Sequence, residues 1–168
     1  IIGEISSYQI ESSFDLAPRI GIWTTFTPDH LSRHKTLDNY YAIKASLLRR
    51  CSQQIFNGDD PYLRNIGLQD WQNAYWTSVK DKNHLLCEPA KGVYIEDSWV
   101  IAFGELILPI SLFKMAGAHN QQNLLMAVGA AKLAGIDKGA IAHAIATFSG
   151  VSHRLEYICT YQGVECIN

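Results

Sequence analysis

The chain has 168 residues, of which 48% are apolar and 18% are charged, and its formal net charge is -2. This length suits one domain with one core, and the composition is that of an ordinary globular protein. The slightly negative charge argues against a nucleic-acid-binding surface, which would be basic. The longest apolar stretch, residues 99–113, is interrupted by Gly104, Glu105 and Pro109 and is too short to span a bilayer.

Both ends of the sequence predict a piece of a longer protein. The chain opens on Ile1-Ile2-Gly3-Glu4, with no initiator Met and no basic region typical of a secretory signal. It stops on Val164-Glu165-Cys166-Ile167-Asn168, a segment typical of a strand that has just begun. We therefore expect the chain to be truncated at both ends.

The cysteines are predicted to be free thiols. Cys51, Cys87, Cys159 and Cys166 form no CxxC pair, which argues against a zinc or redox motif. Cys159 and Cys166 could face each other across a turn at Gln162-Gly163, but small apolar thiols in a reducing compartment are the expected state.

Strands and helices alternate in the first part of the chain. Residues 1–6 predict a short buried strand, and the β-branched and aromatic residues 20–26 predict a second one. That strand ends in the polar turn Thr27-Pro28-Asp29-His30. Apolar spacing predicts a helix over residues 37–51, and a short strand follows over 54–57.

The pattern changes in the second half of the chain. Residues 84–113 contain strands separated by tight turns and predict a small antiparallel side sheet or insertion. Helical spacing returns over residues 120–134 and 137–148. Two strands are predicted at the end, over 155–161 and 163–167. Together these elements predict an α/β fold, with a mainly parallel sheet flanked by helices and a small antiparallel side sheet.

Polar residues follow the first two predicted strands. Glu4 and Ser6-Ser7 come at the end of the first strand, and Asp29 and His30 come after the second. Ligands of open α/β sheets bind outside the carboxyl ends of the strands, so these residues could share one crevice. Glu4 could equally be a strand-end carboxylate that caps a helix or forms a surface ion pair.

Lys44 interrupts the apolar stripe of the predicted helix over residues 37–51. A lysine in this position usually packs its stem on apolar surface and extends its amine to water. The alternative is a functional lysine that is held near the site.

Two later segments suit an anionic or nucleotide ligand. His119, Asn120 and Asn123 open a predicted helix, where free N–H groups and the helix dipole favour a phosphate or a polar base. Arg154, beside His153, suits phosphate because its guanidinium can donate two parallel hydrogen bonds. Simpler explanations are an asparagine cap and a surface ion pair.

Six segments, taken in chain order, resemble motifs of the Mur ligase family, and the likeness extends over nearly the whole chain. They are Glu4-Ile5-Ser6-Ser7-Tyr8-Gln9-Ile10-Glu11, Thr27-Pro28-Asp29-His30-Leu31, Ala42-Ile43-Lys44, Asn57-Gly58-Asp59-Asp60, Gly117-Ala118-His119-Asn120-Gln121-Gln122-Asn123 and Gly150-Val151-Ser152-His153-Arg154-Leu155-Glu156. The resemblance implies that residues 1–168 belong to the family's P-loop-type central ATP-binding domain. The N-terminal UDP-binding domain, the P-loop and the C-terminal domain would lie outside this chain.

The resemblance also implies a reaction. Members of the family form amides with ATP: the γ-phosphate passes to a carboxylate, and an amine attacks the resulting acyl phosphate. The first and last motifs are most similar to those of members that add D-glutamate to UDP-N-acetylmuramoyl-L-alanine in peptidoglycan synthesis, a process that supports cell shape and division. We therefore expect these two substrates, ATP and Mg²⁺, and a cytoplasmic monomer with no nucleic-acid or membrane partner.

The same resemblance assigns roles to the candidate residues. Glu4 would hold the Mg²⁺ that bridges the ATP phosphates, and His30 would help to hold a second Mg²⁺. Lys44 would react with CO₂ to give a carbamate, an oxygen ligand that an ammonium group cannot be, and a lysine with a pKa lowered by burial has a neutral amine available for this. His119, Asn120 and Asn123 would contact the nucleotide, and Arg154 would touch the phosphates with His153 close by.

Several alternatives stay open at this point. The glycine-rich Gly-Lys-Thr/Ser phosphate loop does not occur in the chain and would lie upstream of Ile1, so we expect the isolated piece to be inactive. The ligase could instead be the L-alanine-adding member, or the domain could bind nucleotide without catalysis. A metal-dependent hydrolase using His30, His119 and His153 is a further alternative, although no HExxH or HxH spacing is present.

Overall fold

A computed structural model describes residues 1–151 and 157–167. Its main sheet has six strands in the order β1-β2-β3-β4-β5-β6. The strands β1 to β4 are parallel, and β4, β5 and β6 form an antiparallel meander. The bounds are Ile20–Trp23 for β1, Gln53–Asn57 for β2, Tyr75–Ser78 for β3, Gly92–Glu96 for β4, Trp99–Ala102 for β5 and Glu105–Pro109 for β6. The mixed sheet confirms the predicted α/β class.

Six α-helices surround this sheet within the described residues. They are α1 (Ser7–Ile10), α2 (Leu31–His34), α3 (Leu37–Arg50), α4 (Pro61–Asp70), α5 (Ala118–Leu133) and α6 (Lys138–Thr147). Side-chain caps fix four of the helix starts, because an oxygen at the N-cap satisfies backbone N–H groups that have no partner inside the helix. The capping residues are Ser6, Thr36, Asp60 and Asp137. None of the six helices is both long and apolar enough to cross a membrane.

The sheet separates two hydrophobic layers. Val93 and Tyr94 are neighbours on β4 and belong to different buried clusters, as expected for side chains on opposite faces of a strand. One cluster packs α3 and α4 against β1 to β3, and Trp76 at its centre is fully buried. The other cluster packs α5 and α6 against β4 to β6. The two helical layers therefore pack on opposite faces of one sheet.

The predicted strand over residues 1–6 is wrong. Ile1 and Ile2 are exposed, and no described strand pairs with this segment. A strand obtains its backbone hydrogen bonds from a neighbour, so an extended apolar segment without one is not a strand. Ser6 instead begins a capping box with Gln9, and the short helix α1 follows.

The sequence did not predict α4 or β3. Gly67 lies inside α4, where a glycine weakens helical patterning. A Cβ atom at Gly67 would lie 2.2 Å from the ring of Trp76, so the glycine allows α4 to approach the sheet. The strand β3 is only four residues long, and its sequence of two aromatic residues followed by two polar ones shows no alternation.

The antiparallel region also differs from its prediction. Its strands span residues 92–109 and continue the parallel sheet, because β4 pairs with β3 in parallel and with β5 in antiparallel orientation. A separate two-stranded antiparallel sheet is formed by β7 (Tyr157–Tyr161) and β8 (Val164–Ile167). Cys159 lies opposite Cys166 in that hairpin, and the four cysteines are free, as predicted.

Candidate functional site

The carboxyl ends of β1 and β2 and the start of α5 meet at one edge of the sheet. The buried side chain of Asn57, the last residue of β2, joins them. Its amide nitrogen donates to the Thr24 carbonyl over 3.0 Å and to Gln122 Oε1 over 3.3 Å. Its oxygen accepts from the Asp59 N–H over 3.0 Å. This edge is where ligands of open α/β sheets bind.

Two aspartates after β2 fix the loops that follow the neighbouring strands. Asp60 accepts hydrogen bonds from the N–H groups of Phe26 over 3.1 Å and of Leu63 over 2.8 Å. Asp59 accepts from Ser78 Oγ and from the Val79 N–H, both over 2.7 Å. Protein donors therefore occupy these carboxylates, and we assign them a structural role.

His30 lies directly after the β1 loop, at the N-cap of α2. Its backbone is left-handed, with φ of 53°, and its N–H donates to Asp29 Oδ1 over 2.7 Å. Its imidazole Nε2 lies 3.4 Å from Asp29 Oδ2, and about half of the side chain is exposed. The ring contacts Tyr8 and Tyr40, with centroid distances of 5.3 and 6.3 Å. The imidazole is thus held at a surface that a ligand can reach.

Lys44 lies in the middle of α3, beside the end of β1. Its ammonium lies 5.3 Å from the centroid of the Tyr40 ring and 5.9 Å from that of Trp23, within the range of cation–π contacts. It forms no ion pair with a carboxylate of the described residues. Burial lowers the pKa of Lys44, and the negative charge of Asp29 partly opposes this. A larger fraction of its amine is therefore neutral than in an exposed lysine.

The segment that contains Glu4 is joined to α2 through α1. Glu4 is exposed, and Ser7 lies three residues further along the chain. Ser7 Oγ shares a hydrogen bond of 3.0 Å with Nε2 of the buried His34, the last residue of α2. His34 in turn stacks on Tyr40 with a centroid distance of 5.2 Å. The segments of Glu4, His30 and Lys44 therefore converge on one group of packed side chains.

The start of α5 forms a second part of the same sheet edge. Gly117 occupies the N-cap with φ of 101° and provides no side-chain cap, so the first N–H groups of the helix lack intrahelical partners. Asn120 Nδ2 donates to the Ala116 carbonyl over 2.6 Å, while His119 and Asn123 are exposed. Among the described residues, no side chain of this trio forms a hydrogen bond or ion pair with Lys44 or His30. His153 and Arg154 lie outside the described residues.

Sequence reasoning missed three residues of this edge. His34 carried no functional prediction, although it follows His30 by four residues and α2 places the two one helical turn apart. Asn57 and Gln122 belong to recognised motifs, but their mutual contact joins residues 65 positions apart. No local pattern could predict that contact.

Glu4 and His30 are the candidate metal donors at this edge of the sheet. No group of three or more His, Cys, Asp or Glu side chains in residues 1–151 and 157–167 is arranged to hold a metal ion. Mg²⁺ in nucleotide sites uses one or two carboxylates and completes its shell with water and phosphate oxygens. The exposed carboxylate of Glu4 fits that incomplete donor set, whereas the imidazole of His30 supplies a nitrogen, which Mg²⁺ takes less readily than oxygen.

Comparisons with known proteins identify the family and fold of the chain. Residues 1–131 match the family model described as the Mur ligase middle domain. The whole chain is 75% identical to the UDP-N-acetylmuramoylalanine--D-glutamate ligase of Rippkaea orientalis and 74% identical to that of Gloeothece citriformis. In both cases it spans 37% of the relative's length.

Two solved structures have the same fold. A pseudomurein peptide ligase type C from Methanothermus fervidus superposes with a TM-score of 0.66 at 19% identity, over 92% of this chain and 39% of that one. MurF from Acinetobacter baumannii superposes with a TM-score of 0.64 at 16% identity, over 93% of this chain and 34% of that one.

Proposed function

The chain belongs to the Mur ligase family, whose middle domain matches residues 1–131, and from this membership we propose that residues 1–168 are the central ATP-binding domain of a D-glutamate-adding ligase. The proposed reaction joins D-glutamate to UDP-N-acetylmuramoyl-L-alanine at the expense of ATP. The relatives named for this reaction are 75% and 74% identical to the chain. Because the chain spans 37% of their length, the activity would belong to a longer protein.

The observation that carries the proposal is the environment of Lys44. Its amine lies over the rings of Tyr40 and Trp23, half-buried and without a described carboxylate partner. A lysine that only reached for solvent would extend its amine to water. A lysine with a lowered pKa can instead react as the neutral amine: its nitrogen bonds to the carbon of CO₂ and then releases a proton to water. The resulting carbamate would offer two oxygen atoms at a point where the charge of Asp29 already acts on Lys44.

The other candidate residues have proposed binding roles. His119, Asn120 and Asn123 would bind the nucleotide at the start of α5, and Arg154, with His153 beside it, would bind phosphate oxygens. Glu4, His30 and the modified Lys44 would hold Mg²⁺. When bound, Mg²⁺ neutralises the charge of the phosphates, which is the main requirement of phosphoryl transfer. The substrate carboxylate would attack the γ-phosphorus of ATP and release ADP. The D-glutamate amine would then attack the acyl carbon, and phosphate would leave as the amine loses a proton.

The same proposal fixes the setting of the reaction. Both substrates and ATP are water-soluble, so we place the ligase in the cytoplasm, within peptidoglycan synthesis. We propose that it acts as a monomer with no nucleic-acid or membrane partner, in keeping with the net charge of -2.

The test uses the full-length protein that contains this chain. We would measure phosphate release with ATP, Mg²⁺ and UDP-N-acetylmuramoyl-L-alanine in the presence of D-glutamate, L-glutamate or L-lysine, and with L-alanine on the unsubstituted acceptor. We expect release with D-glutamate alone, and a loss of about 100-fold or more in Lys44→Ala and His30→Ala. Lys138→Ala and His143→Ala, which change exposed residues of α6, are the matched controls.

The other outcomes separate the alternatives. Release with L-alanine alone would keep the family and contradict the D-glutamate assignment. If the protein is folded but none of these substrate pairs gives phosphate release, the result would instead support a non-catalytic nucleotide-binding domain.

A further inference from the structure

His34 is a buried imidazole at the centre of the three segments that carry the proposed Mg²⁺ ligands. Only 4% of the residue is exposed. It ends α2, which begins directly after His30. Its Nε2 shares the 3.0 Å hydrogen bond with Ser7, three residues after Glu4, and its ring stacks on Tyr40, one helical turn before Lys44.

The opposite side of the imidazole faces an ion pair. His34 Nδ1 lies 3.8 Å from Glu11 Oε1 and is buried without a hydrogen-bond partner. The other oxygen of Glu11 accepts from Arg33 Nε over 2.9 Å and from Arg33 Nη2 over 2.6 Å. The Arg33 guanidinium also lies 4.9 Å from the centre of the Tyr8 ring. These contacts join α1 to α2 a second time, on the other side of His34.

Such an arrangement is a costly way to fill a core. A buried nitrogen without a partner lowers stability, whereas an apolar ring of similar size would pack without that cost. The His34–Ser7 hydrogen bond is directional, so it fixes the position of α1 along α2 in a way that apolar packing alone does not. The His34–Ser7 pair therefore restrains the position of α1 relative to α2, at a cost in stability that apolar packing would avoid.

We propose that His34, through Ser7 and Tyr40, is a positioning residue that sets the separation of the segments bearing Glu4, His30 and Lys44. The inference rests on the proposed function. Mg²⁺ demands near-ideal octahedral geometry with short metal–oxygen distances, so small displacements of its ligands weaken binding. Side chains that orient metal ligands typically change metal affinity by about 10- to 100-fold when they are removed.

The discriminating variant is Ser7→Ala combined with His34→Phe in the full-length protein. It replaces both hydrogen-bonding partners by apolar groups and keeps an aromatic ring against Tyr40. Replacing both partners of a buried hydrogen bond can be nearly neutral for stability. We therefore expect a melting temperature close to that of the unchanged protein, together with Mn²⁺ affinity weakened about 10-fold. Mn²⁺ is the probe, and electron paramagnetic resonance of the free ion measures the dissociation constant.

Three control variants, His143→Phe, Glu4→Gln and His30→Asn, distinguish the positioning role from a loss of stability and from a wrong metal assignment. His143→Phe, on exposed α6, should change neither quantity. Mn²⁺ affinity that is unchanged in the double variant, or that falls only together with the melting temperature, overturns the positioning role while leaving the ligase proposal intact. Mn²⁺ binding that is insensitive to Glu4→Gln and His30→Asn overturns the metal assignment itself, and the positioning role with it.

Discussion

Individual thiols of this chain differ in burial, and this should set their order of alkylation. Cys51 is 5% exposed, and burial raises the pKa of both Cys51 and Cys87. Cys159 is exposed on the β7–β8 hairpin. Because the thiolate is the nucleophile, iodoacetamide should label Cys159 first and Cys51 last, as followed by peptide mass spectrometry of the native full-length protein. Equal labelling rates at Cys51 and Cys159 would contradict the described packing.

The phenol of Tyr41 should contribute to the pH dependence of the unfolding free energy in alkaline solution. Burial, followed by a 2.6 Å hydrogen bond donated to Asp70, raises the pKa of Tyr41 to about 12. A pKa raised on folding gives stability that is complete below the ordinary phenol pKa of about 10 and is lost as the pH rises through the folded value. We expect Tyr41→Phe to lose less unfolding free energy than the unchanged protein between about pH 9 and about pH 11.

Urea unfolding at the two pH values provides the measurement. The quantity compared between Tyr41→Phe and the unchanged protein is the change of unfolding free energy with pH. The absolute values are not compared, because Tyr41→Phe also removes the acceptor of a hydrogen bond from Trp71 at every pH. Tyr62→Phe, at an exposed position of α4, is the control and should leave the change unaltered. An identical alkaline loss in Tyr41→Phe would refute the assignment.

At the scale of elements, two aspartate caps provide a matched comparison. Asp60 caps α4 and also accepts from the buried Phe26 N–H, so Asp60→Ala leaves two buried donors unpaired. We expect a loss of about 2–4 kcal/mol in the free energy of unfolding. Asp137 caps α6 on the exposed surface, and Asp137→Ala should cost about 1 kcal/mol. Urea denaturation measures the free energy of unfolding of both variants. Similar losses in Asp60→Ala and Asp137→Ala would mean that the contact of Asp60 with the β1 loop does not contribute to stability.

Elements with their own local signals were predictable. The helix α3 has a sustained apolar stripe, and α6 begins at an aspartate cap, so periodicity and capping sufficed for both. Residues 1–6 have the composition of a strand but no strand partner in the described residues, and composition alone cannot supply one. The helix α4 depends on the fit of Gly67 against Trp76, which is a tertiary contact.

Some residues of the candidate site were likewise predictable from local sequence, whereas others depend on long-range contacts. Motif resemblance selected Glu4, His30 and Lys44, and the interrupted stripe of α3 marked Lys44 independently. The position of His34 among those segments depends on a contact over 27 residues of sequence, and that of Asn57 beside the β1 loop depends on one over 33 residues. Sequence reasoning over short windows cannot reach that far.

For the molecule as a whole, Asn57 is a polar junction between the loop after β1, the loop after β2 and the start of α5. Asn57→Ala would leave the Thr24 carbonyl, the Asp59 N–H and Gln122 without this partner. We expect a loss of about 2–4 kcal/mol in unfolding free energy, and about 1 kcal/mol for Gln122→Ala, which removes one of the three bonds. Equilibrium unfolding of the two variants measures both values. Equal effects would show that the junction depends on the α5 contact alone.

The contact between Lys44 and Trp23 has an optical consequence. The emission energy of an indole shifts with the electric field of nearby charges, and this cation lies 5.9 Å from the ring centroid. Conversion of the amine to a carbamate would reverse the sign of that field. The chain contains four tryptophans. A variant that retains Trp23 alone would therefore report the chemical state of Lys44 as a shift of its fluorescence emission wavelength.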